Sequence, residues 1–249
     1  MTAGSTGPRW TLVGCWAAFG VVALILAARG WGPFGFEQAV LDWCVGHRPP
    51  GAVGPATVVT ACGSAPLPFL MALAAGALAV RRMPGPAAGA RPARRTRRVA
   101  VVLFAPAVWL LLGQGLRQLL MHGFGRPRPP LADRAVQASG FSFPSGHAFT
   151  AAAGAGLLAL AVALVRPAAA RVAAGCAVVF AAAVGASRVY LGVHWPLDVL
   201  GGWLLAAGWL ALGTLLVCQG RETGAALLER RPGVRRGRPA GARPRRELS

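Results

Sequence analysis

Two short segments of this 249-residue chain concentrate polar side chains within otherwise apolar sequence. One is the Pro-Ser-Gly-His run that ends at His147, and the other contains Ser187, Arg188, His194 and Asp198. A histidine followed four residues later by a carboxylate suits nucleophilic or acid–base chemistry. Arginine is suited to forked contacts with phosphate oxygens. Together these residue types predict a site for phosphoryl-group chemistry.

A third cluster, Gly-Arg-Pro-Arg-Pro, follows the third apolar run and contributes Arg126 and Arg128. We expect both arginines, with Arg188, to contact phosphate. Ser145 and Gly146 stand where the next helix is expected to begin. Because backbone N–H groups and the positive end of the helix dipole point outward there, these two residues are predicted to bind the same anion.

These three clusters resemble the signature motifs of the type 2 phosphatidic acid phosphatase family, whose lipid phosphatases share a site with vanadium haloperoxidases. The family patterns are Lys, six residues, Arg-Pro; then Pro-Ser-Gly-His; then Ser-Arg, five residues, His, three residues, Asp. The second and third patterns match at every fixed position, and the resemblance spans residues 117–202. It implies a metal-independent hydrolase without cofactors that acts on phosphatidic acid, phosphatidylglycerol phosphate or polyprenyl diphosphate.

The first motif departs from the family pattern. Seven residues before Arg128 stands Met121, and seven before Arg126 stands Leu119, so neither register supplies the lysine. Arg117 precedes Met121 by four residues and lies on the same helical face. We therefore expect Arg117 to supply the missing cation; the alternatives are His122 or a site with one cation fewer.

The residues also suggest individual roles. His194 is predicted to attack phosphorus as a neutral imidazole and form a phosphohistidine that water then hydrolyses. Pro196 suits the first turn of a helix, so Asp198 in that turn can hold the other ring nitrogen of His194. His147, which has no carboxylate nearby in sequence, is predicted to protonate the leaving group as the general acid.

The composition places this site in a membrane protein. Hydrophobic residues make up 55% of the chain and charged residues 13%, with a mean hydropathy of +0.53. Residues 1–220 are predicted to form an all-α polytopic bundle of six transmembrane helices, and residues 221–249 a basic, poorly ordered tail. The first apolar run exceeds a signal-peptide core, which favours a retained span. The predicted spans are Trp10–Ala28, Pro55–Val80, Val99–Leu120, His147–Val165, Val172–Tyr190 and Asp198–Cys218.

Arginine clusters predict the orientation of this bundle. They lie at residues 81–98, at residues 166–171 and in the C-terminal tail, which alternate correctly to share one side. The positive-inside rule makes that side cytoplasmic. Both termini are then cytoplasmic, and the site residues face the extracytoplasmic side, where a phospholipid or polyprenyl phosphate substrate can enter.

Several other interpretations compete with a lipid phosphatase. The net charge of +19 could favour nucleic acid, but no nucleic-acid motif accompanies it. A hydrolytic metal centre would need more acidic ligands than this side supplies. Arg188 and Asp198 could form a structural ion pair. The site could also transfer phosphate to an alcohol, or bind or transport lipid phosphates without catalysis. The oligomeric state stays open.

Overall fold

The computed structural model describes residues 6–85 and 91–229, and the regular elements in this part of the chain are all helical. Two single 3-10 turns, Leu131–Asp133 and Pro167–Ala169, accompany the α-helices. The α-helices are α1 (Thr6–Ala28), α2 (Gly35–Gly46), α3 (Pro50–Ala61), α4 (Leu67–Val80), α5 (Pro92–Phe124), α6 (Gly146–Val165), α7 (Ala170–Tyr190) and α8 (Pro196–Glu229).

Five of these helices, α1, α5, α6, α7 and α8, are long and apolar enough to cross a bilayer, and α4 is a shorter apolar helix. Their apolar side chains are widely exposed; Leu24, for example, is 71% exposed. An apolar surface of this extent belongs against lipid rather than water. The predicted class, an all-α polytopic membrane bundle, is therefore confirmed.

The second predicted span, Pro55–Val80, differs from a single continuous helix. Its residues form the end of α3 and all of α4, separated by a turn at residues 62–66. This turn contains Gly63 and Pro66. Glycine is a poor helix former, and a proline disfavours helical geometry at the residue before it. Local composition thus interrupts an apolar run that length alone makes a span.

Helix α6 forms the centre of the bundle. It packs against α4, α7 and α8. Of its apolar 18-residue stretch, 44% of the residues are buried, compared with 11% in the corresponding stretch of α1. Close approach depends on glycines. A Cβ atom on Gly154 would lie 2.8 Å from atoms of Pro68 in α4, and one on Gly156 would lie 2.4 Å from Leu210 in α8.

Two helix ends differ from the predicted spans. Helix α5 begins at Pro92 rather than Val99, so the arginines at 94–98 belong to its first two turns. Proline is favoured at this first helical position. Helix α8 continues past the predicted end at Cys218 to Glu229. The remainder of the predicted tail, residues 230–249, lies outside the described residues.

Aromatic side chains anchor the loop between α5 and α6 to the bundle. Phe143, in this loop, is fully buried and stacks on Phe19 of α1 at a centroid distance of 5.5 Å. It also lies 5.5 Å from the ring of Phe124, the last residue of α5. Since α6 begins three residues later, this packing fixes the start of the helix that carries His147.

Candidate active site

Six segments meet at one end of the bundle around a polar cavity of about 670 Å³. They are the α3–α4 turn, the end of α5, the α5–α6 loop, the start of α6, the end of α7 and the α7–α8 turn. The lining of the cavity includes, besides His122 at its edge, three arginines and two histidines that lie up to 77 residues apart in sequence. These side chains are Arg117, Arg128, Arg188, His147 and His194.

His194 is held in the turn between α7 and α8. Gly192 makes this turn with φ of +70°, and a Cβ atom there would lie 2.4 Å from the Asp133 carbonyl oxygen. The His194 ring is almost fully buried, with its Nδ1 3.4 Å from Asp198 Oδ2 and its Nε2 2.9 Å from Arg128 Nη1. Asp198 thus faces Nδ1, while Nε2 points toward the arginines of the cavity.

Asp198 is fully buried and accepts hydrogen bonds at both carboxylate oxygens. Its Oδ2 accepts from the Trp195 backbone N–H at 2.8 Å, which satisfies a free donor at the start of α8. Its Oδ1 accepts from Arg126 Nη1 at 2.6 Å. The carboxylate is therefore oriented by the helix start and by a buried cation, and its remaining direction is toward His194.

The protonation states suit a neutral nucleophile beside a charged anion binder. Burial lowers the pKa of His194 well below its ordinary value, and the nearby Arg128 and Arg188 guanidiniums lower it further. Burial also lowers the pKa of Arg128 to about 10, with the Asp198 carboxylate opposing that shift. At neutral pH, His194 is therefore unprotonated and Arg128 keeps its positive charge.

Arg126 does not line the cavity, contrary to its predicted contact with phosphate. Its guanidinium is fully buried and bridges two carboxylates, Asp198 and Glu37, each at 2.6 Å. Glu37 also accepts a hydrogen bond from the Leu197 backbone N–H at 3.1 Å. A buried arginine already paired with two carboxylates has no charge left for a substrate, so Arg126 serves to position Asp198.

Arg128 lines the cavity, as expected, and backbone carbonyl groups fix its guanidinium. Nη1 donates to Val193 O at 2.8 Å, Nη2 donates to Ser139 O at 2.9 Å, and Nε donates to Gly140 O at 3.0 Å. These three carbonyl groups come from the two loops that border the pocket. The arginine is therefore preorganised beside His194 without being neutralised by a carboxylate.

Arg188 also faces the cavity and is nearly buried at 5% exposure. Its Nη1 donates to Thr60 Oγ1 at 3.2 Å, while its Nε has no hydrogen-bond partner within the described residues. The alternative ion pair between Arg188 and Asp198 is not formed, because Asp198 pairs with Arg126 instead. Arg188 remains a buried cation whose charge faces the pocket.

Arg117 reaches the site from one turn deeper in α5, as its spacing suggested. Its Nη1 lies 3.2 Å from the sulfur of Met121, the residue at the lysine position of the first motif. Its Nε donates to Gln114 Oε1 at 3.0 Å, and its Nη2 donates to Gln118 Oε1. A Cβ atom on Gly146 would lie 3.3 Å from Arg117 Cζ, so the guanidinium lies against the start of α6.

His122, the alternative to Arg117, lies at the cavity edge and is exposed. Its Nδ1 faces the Gln118 carbonyl oxygen at 2.9 Å, within its own helix. Arg117 is buried and permanently charged, whereas His122 is an exposed residue at the edge. The geometry therefore favours Arg117 as the replacement for the lysine.

At the start of α6, only some of the predicted site residues line the cavity. Gly146 and His147 line the cavity, but Ser145 is buried behind its wall. The Ser145 backbone N–H donates to Asp198 O at 2.9 Å, and its hydroxyl has no partner within the described residues. The Ser145 N–H is thus unavailable to an anion, and the predicted phosphate contact is better served by Gly146.

Sequence reasoning missed several residues of this site. Glu37 and Thr60 support Arg126 and Arg188, and Ser64 Oγ lies 2.7 Å from His147 Nε2. Thr60 and Ser64 lie in a stretch interpreted as one apolar span, where polar side chains are costly and often functional. The presence of these two polar residues within an apolar span was the signal by which the sequence could have identified them. No three His, Cys, Asp or Glu side chains in the described ranges come together as a metal-binding group.

Comparison with known proteins gives a consistent result. The profile of the PAP2 superfamily matches residues 102–221. An undecaprenyl-diphosphatase from Sulfolobus acidocaldarius is 32% identical over 47% of this chain and 54% of its own length. Phosphatidylglycerophosphatase B from Bacillus subtilis is 41% identical over 36% of this chain and 45% of its own. The chain thus spans about half the length of these curated relatives.

A solved structure extends this likeness over most of the chain. The crystal structure of a transmembrane PAP2 type phosphatidylglycerolphosphate phosphatase from Bacillus subtilis superposes with a TM-score of 0.62 at 26% identity. The match covers 85% of this chain and 97% of that one. The resemblance inferred from the motifs is confirmed: residues 102–221 form a PAP2 superfamily domain within a multi-pass membrane protein.

Proposed function

We propose that this protein is a metal-independent phosphatase of membrane lipids that works through a phosphohistidine intermediate. The observation that carries this proposal is the setting of His194. Its Nδ1 faces a buried carboxylate, and its Nε2 faces a cavity with three arginines. Such a site can bind a phosphate group and attack it, because phosphoryl transfer depends mainly on positioning and on cations around the phosphate oxygens.

The proposed reaction begins with a phosphate group bound among Arg117, Arg128 and Arg188. Neutral His194 attacks phosphorus through Nε2 while Asp198 holds Nδ1–H and stabilises the positive charge that develops on the ring. His147 donates a proton to the leaving oxygen. Water then attacks the phosphohistidine, and inorganic phosphate leaves. Because arginines supply the positive charge of the cavity, the chemistry needs no metal ion.

The proposed substrates are lipid phosphomonoesters and polyprenyl diphosphates. The names of the two curated relatives refer to one lipid of each kind, undecaprenyl diphosphate and phosphatidylglycerol phosphate. The cavity lies at the end of apolar helices. A phosphorylated headgroup can therefore enter the pocket while its hydrocarbon chains remain in lipid.

The proposed location of the site is the extracytoplasmic face. Arg82, after α4, donates to the Val165 carbonyl oxygen at the end of α6, which brings Arg81 and Arg82 to the same end of the bundle as the basic turn at 166–171. The cavity lies at the start of α6, one helix length away. The positive-inside rule assigns the arginine-rich end to the cytoplasm, which supports an outward-facing cavity.

The proposed function is tested by phosphate release from purified protein in detergent with EDTA. A panel of phosphatidic acid, phosphatidylglycerol phosphate and undecaprenyl diphosphate is compared for wild type and His194→Ala. We expect release by the wild type and loss of at least roughly 10³-fold in the variant, since a nucleophile is removed. Acid-labile label from a ³²P-lipid should appear on His194 during turnover.

The same assay separates the two competing functions. Exchange of the headgroup with an added alcohol, without free phosphate, would identify a phosphotransferase. Binding of lipid phosphate with no turnover on any lipid would identify a non-catalytic binder or transporter. Activity that disappears with EDTA and returns with a divalent cation would contradict metal independence.

A further inference from the structure

The turn that interrupts the second apolar run is fixed against the helices that carry the site. A Cβ atom on Gly63 would lie 2.4 Å from Val184 Cγ1 in α7 and 3.2 Å from the His147 carbonyl oxygen in α6. Thr150, also in α6, donates its hydroxyl to the Gly63 carbonyl oxygen. This close packing places the next residue, Ser64, at the wall of the cavity.

Ser64 lies directly beside the imidazole of His147. Its Oγ is 2.7 Å from His147 Nε2, and Ser64 is half-buried. Within the described part of the chain, this hydroxyl is the one hydrogen-bond partner of the His147 ring. His147 therefore differs from His194, whose Nδ1 faces a carboxylate. A neutral hydroxyl takes the corresponding position beside the general acid.

We propose that Ser64 is a positioning residue for His147, holding Nε2 so that Nδ1 exchanges the proton with the leaving group and with water. This inference rests on the proposed function. Protonated imidazole has two N–H donors, so Ser64 Oγ can accept from Nε2–H while Nδ1–H remains for the substrate. After the proton is given away, Ser64 stabilises the Nε2–H tautomer and leaves Nδ1 as a base.

The two chemical steps balance with this arrangement. In the first, His194 Nε2 forms a bond to phosphorus, the bond from phosphorus to the leaving oxygen breaks, and the His147 Nδ1 proton moves to that oxygen. In the second, Nδ1 takes a proton from water as the water oxygen bonds to phosphorus. The P–N bond breaks and its electron pair returns to His194. Ser64 keeps its hydrogen bond throughout.

The inference is tested with two substrates that need protonation to different extents. When its phosphoryl group moves to His194, phosphatidic acid releases an alkoxide, which requires a proton. Diacylglycerol diphosphate instead releases phosphatidate, whose phosphate oxygen leaves readily without one. We expect Ser64→Ala to lower kcat on phosphatidic acid roughly tenfold with little change in KM, the size of effect of one lost hydrogen bond. On the diphosphate, kcat should fall less than on phosphatidic acid, because only the hydrolysis step, which both lipids share, then depends on the His147 proton.

Matched variants make this result specific. Ser64→Thr keeps the hydroxyl and should restore most of the lost kcat. Thr57→Ala removes a hydroxyl in α3 that bonds within its own helix, to Val53 O at 2.8 Å, and should leave both rates unchanged. His147→Ala should show the same selectivity for phosphatidic acid with a larger loss, about 10²-fold or more.

Two results would overturn the role of Ser64 while leaving the proposed function intact. One is a Ser64→Ala variant with wild-type kcat on phosphatidic acid, while His147→Ala loses activity selectively on that lipid. The other is an equal loss on both lipids that Ser64→Thr does not restore, which would indicate a structural role. Failure of the wild type to hydrolyse either lipid would instead remove the proposed function itself.

Discussion

At the scale of single residues, His147 and His194 differ in the cavity because their neighbours differ. His194 faces Asp198, while His147 faces the Ser64 hydroxyl. A carboxylate stabilises the positive charge that a nucleophilic ring acquires, whereas a hydroxyl only orients a ring that must give up its proton. The chemistry assigned to each histidine therefore follows from the group behind it.

Protonation of His194 should cause the fall of kcat/KM on the acidic side, or limb, of the pH profile. Its pKa is lowered by burial and then by Arg128 and Arg188, so protonation on acidification begins below the range of an ordinary histidine, about 6.5. We therefore expect kcat/KM to stay constant as the pH falls through about 6.5, the ordinary histidine pKa. Arg128→Gln removes one nearby positive charge and should move the limb to higher pH, as measured with the same substrate for both proteins.

Using one substrate controls for the ionisation of its phosphate group, which contributes equally to both profiles. A limb that stays at the same pH in Arg128→Gln, with kcat/KM lowered uniformly, would show that another group controls it. The sign is fixed by the charge: removal of a cation can only make protonation of the neighbouring imidazole easier.

Arg126 illustrates how burial changes the role of a motif residue. Its guanidinium joins Glu37 and Asp198 in a fully buried triad. Arg126→Ala leaves two carboxylates without a counter-charge, so we expect the unfolding free energy to fall by about 3–5 kcal/mol. Thermal unfolding in detergent measures this loss, with Arg9→Ala, which removes an exposed arginine, as the control.

Glu37→Gln probes the same triad from its distal end. The amide keeps the shape of the side chain but removes the charge that balances Arg126. We expect a loss of stability smaller than in Arg126→Ala and a lower kcat, because Asp198 is then the only carboxylate left to Arg126. Wild-type stability in both variants would contradict the assignment of the triad as a support for Asp198.

At the scale of secondary-structure elements, we propose that α5 supplies its phosphate-binding cation from the turn before the one that carries the lysine in the family pattern. Arg117 extends over Met121 and reaches Gly146. Arg117→Ala should lower kcat/KM roughly 10²-fold, the typical effect of removing one preorganised donor to the reacting phosphate. Adding Met121→Lys to this variant should restore at least about tenfold, because the lysine returns to its family position.

Met121→Lys alone serves as the control for the rescue and places two cations on one helical face. Near wild-type turnover of Arg117→Ala on the lipid panel would refute the replacement. Loss of activity in His122→Ala equal to that of Arg117→Ala would identify His122 as the missing cation instead.

At the scale of the whole molecule, the proposed orientation rests on which end of the bundle carries the arginines. A cysteine-free variant, lacking the five native cysteines, with Leu131→Cys should react with a membrane-impermeant maleimide on intact cells. The cysteine-free variant that carries Arg166→Cys instead of Leu131→Cys should react only after the membrane is opened. Both sites are exposed, so accessibility depends on the side of the membrane. The reverse labelling pattern would place the cavity in the cytoplasm.

The sequence alone determined the class of the protein and most of the polar residues that meet at the cavity. Apolar runs of spanning length predicted a helical membrane bundle, because the bilayer requires that length and requires backbone groups to be satisfied internally. Motif spacing identified His147, Arg128, Arg188, His194 and Asp198, all of which meet at the cavity or directly support it. These features are local, so adjacent residues suffice to reveal them.

The tertiary structure decided which polar residues contact the cavity and which support it. Arg126 and Arg128 are two residues apart, yet one is paired with Glu37 and Asp198 while the other faces the pocket. Ser64 meets His147 across 83 positions of sequence. Burial and pairing depend on how the helices pack, and no spacing along the chain records contacts between segments so far apart.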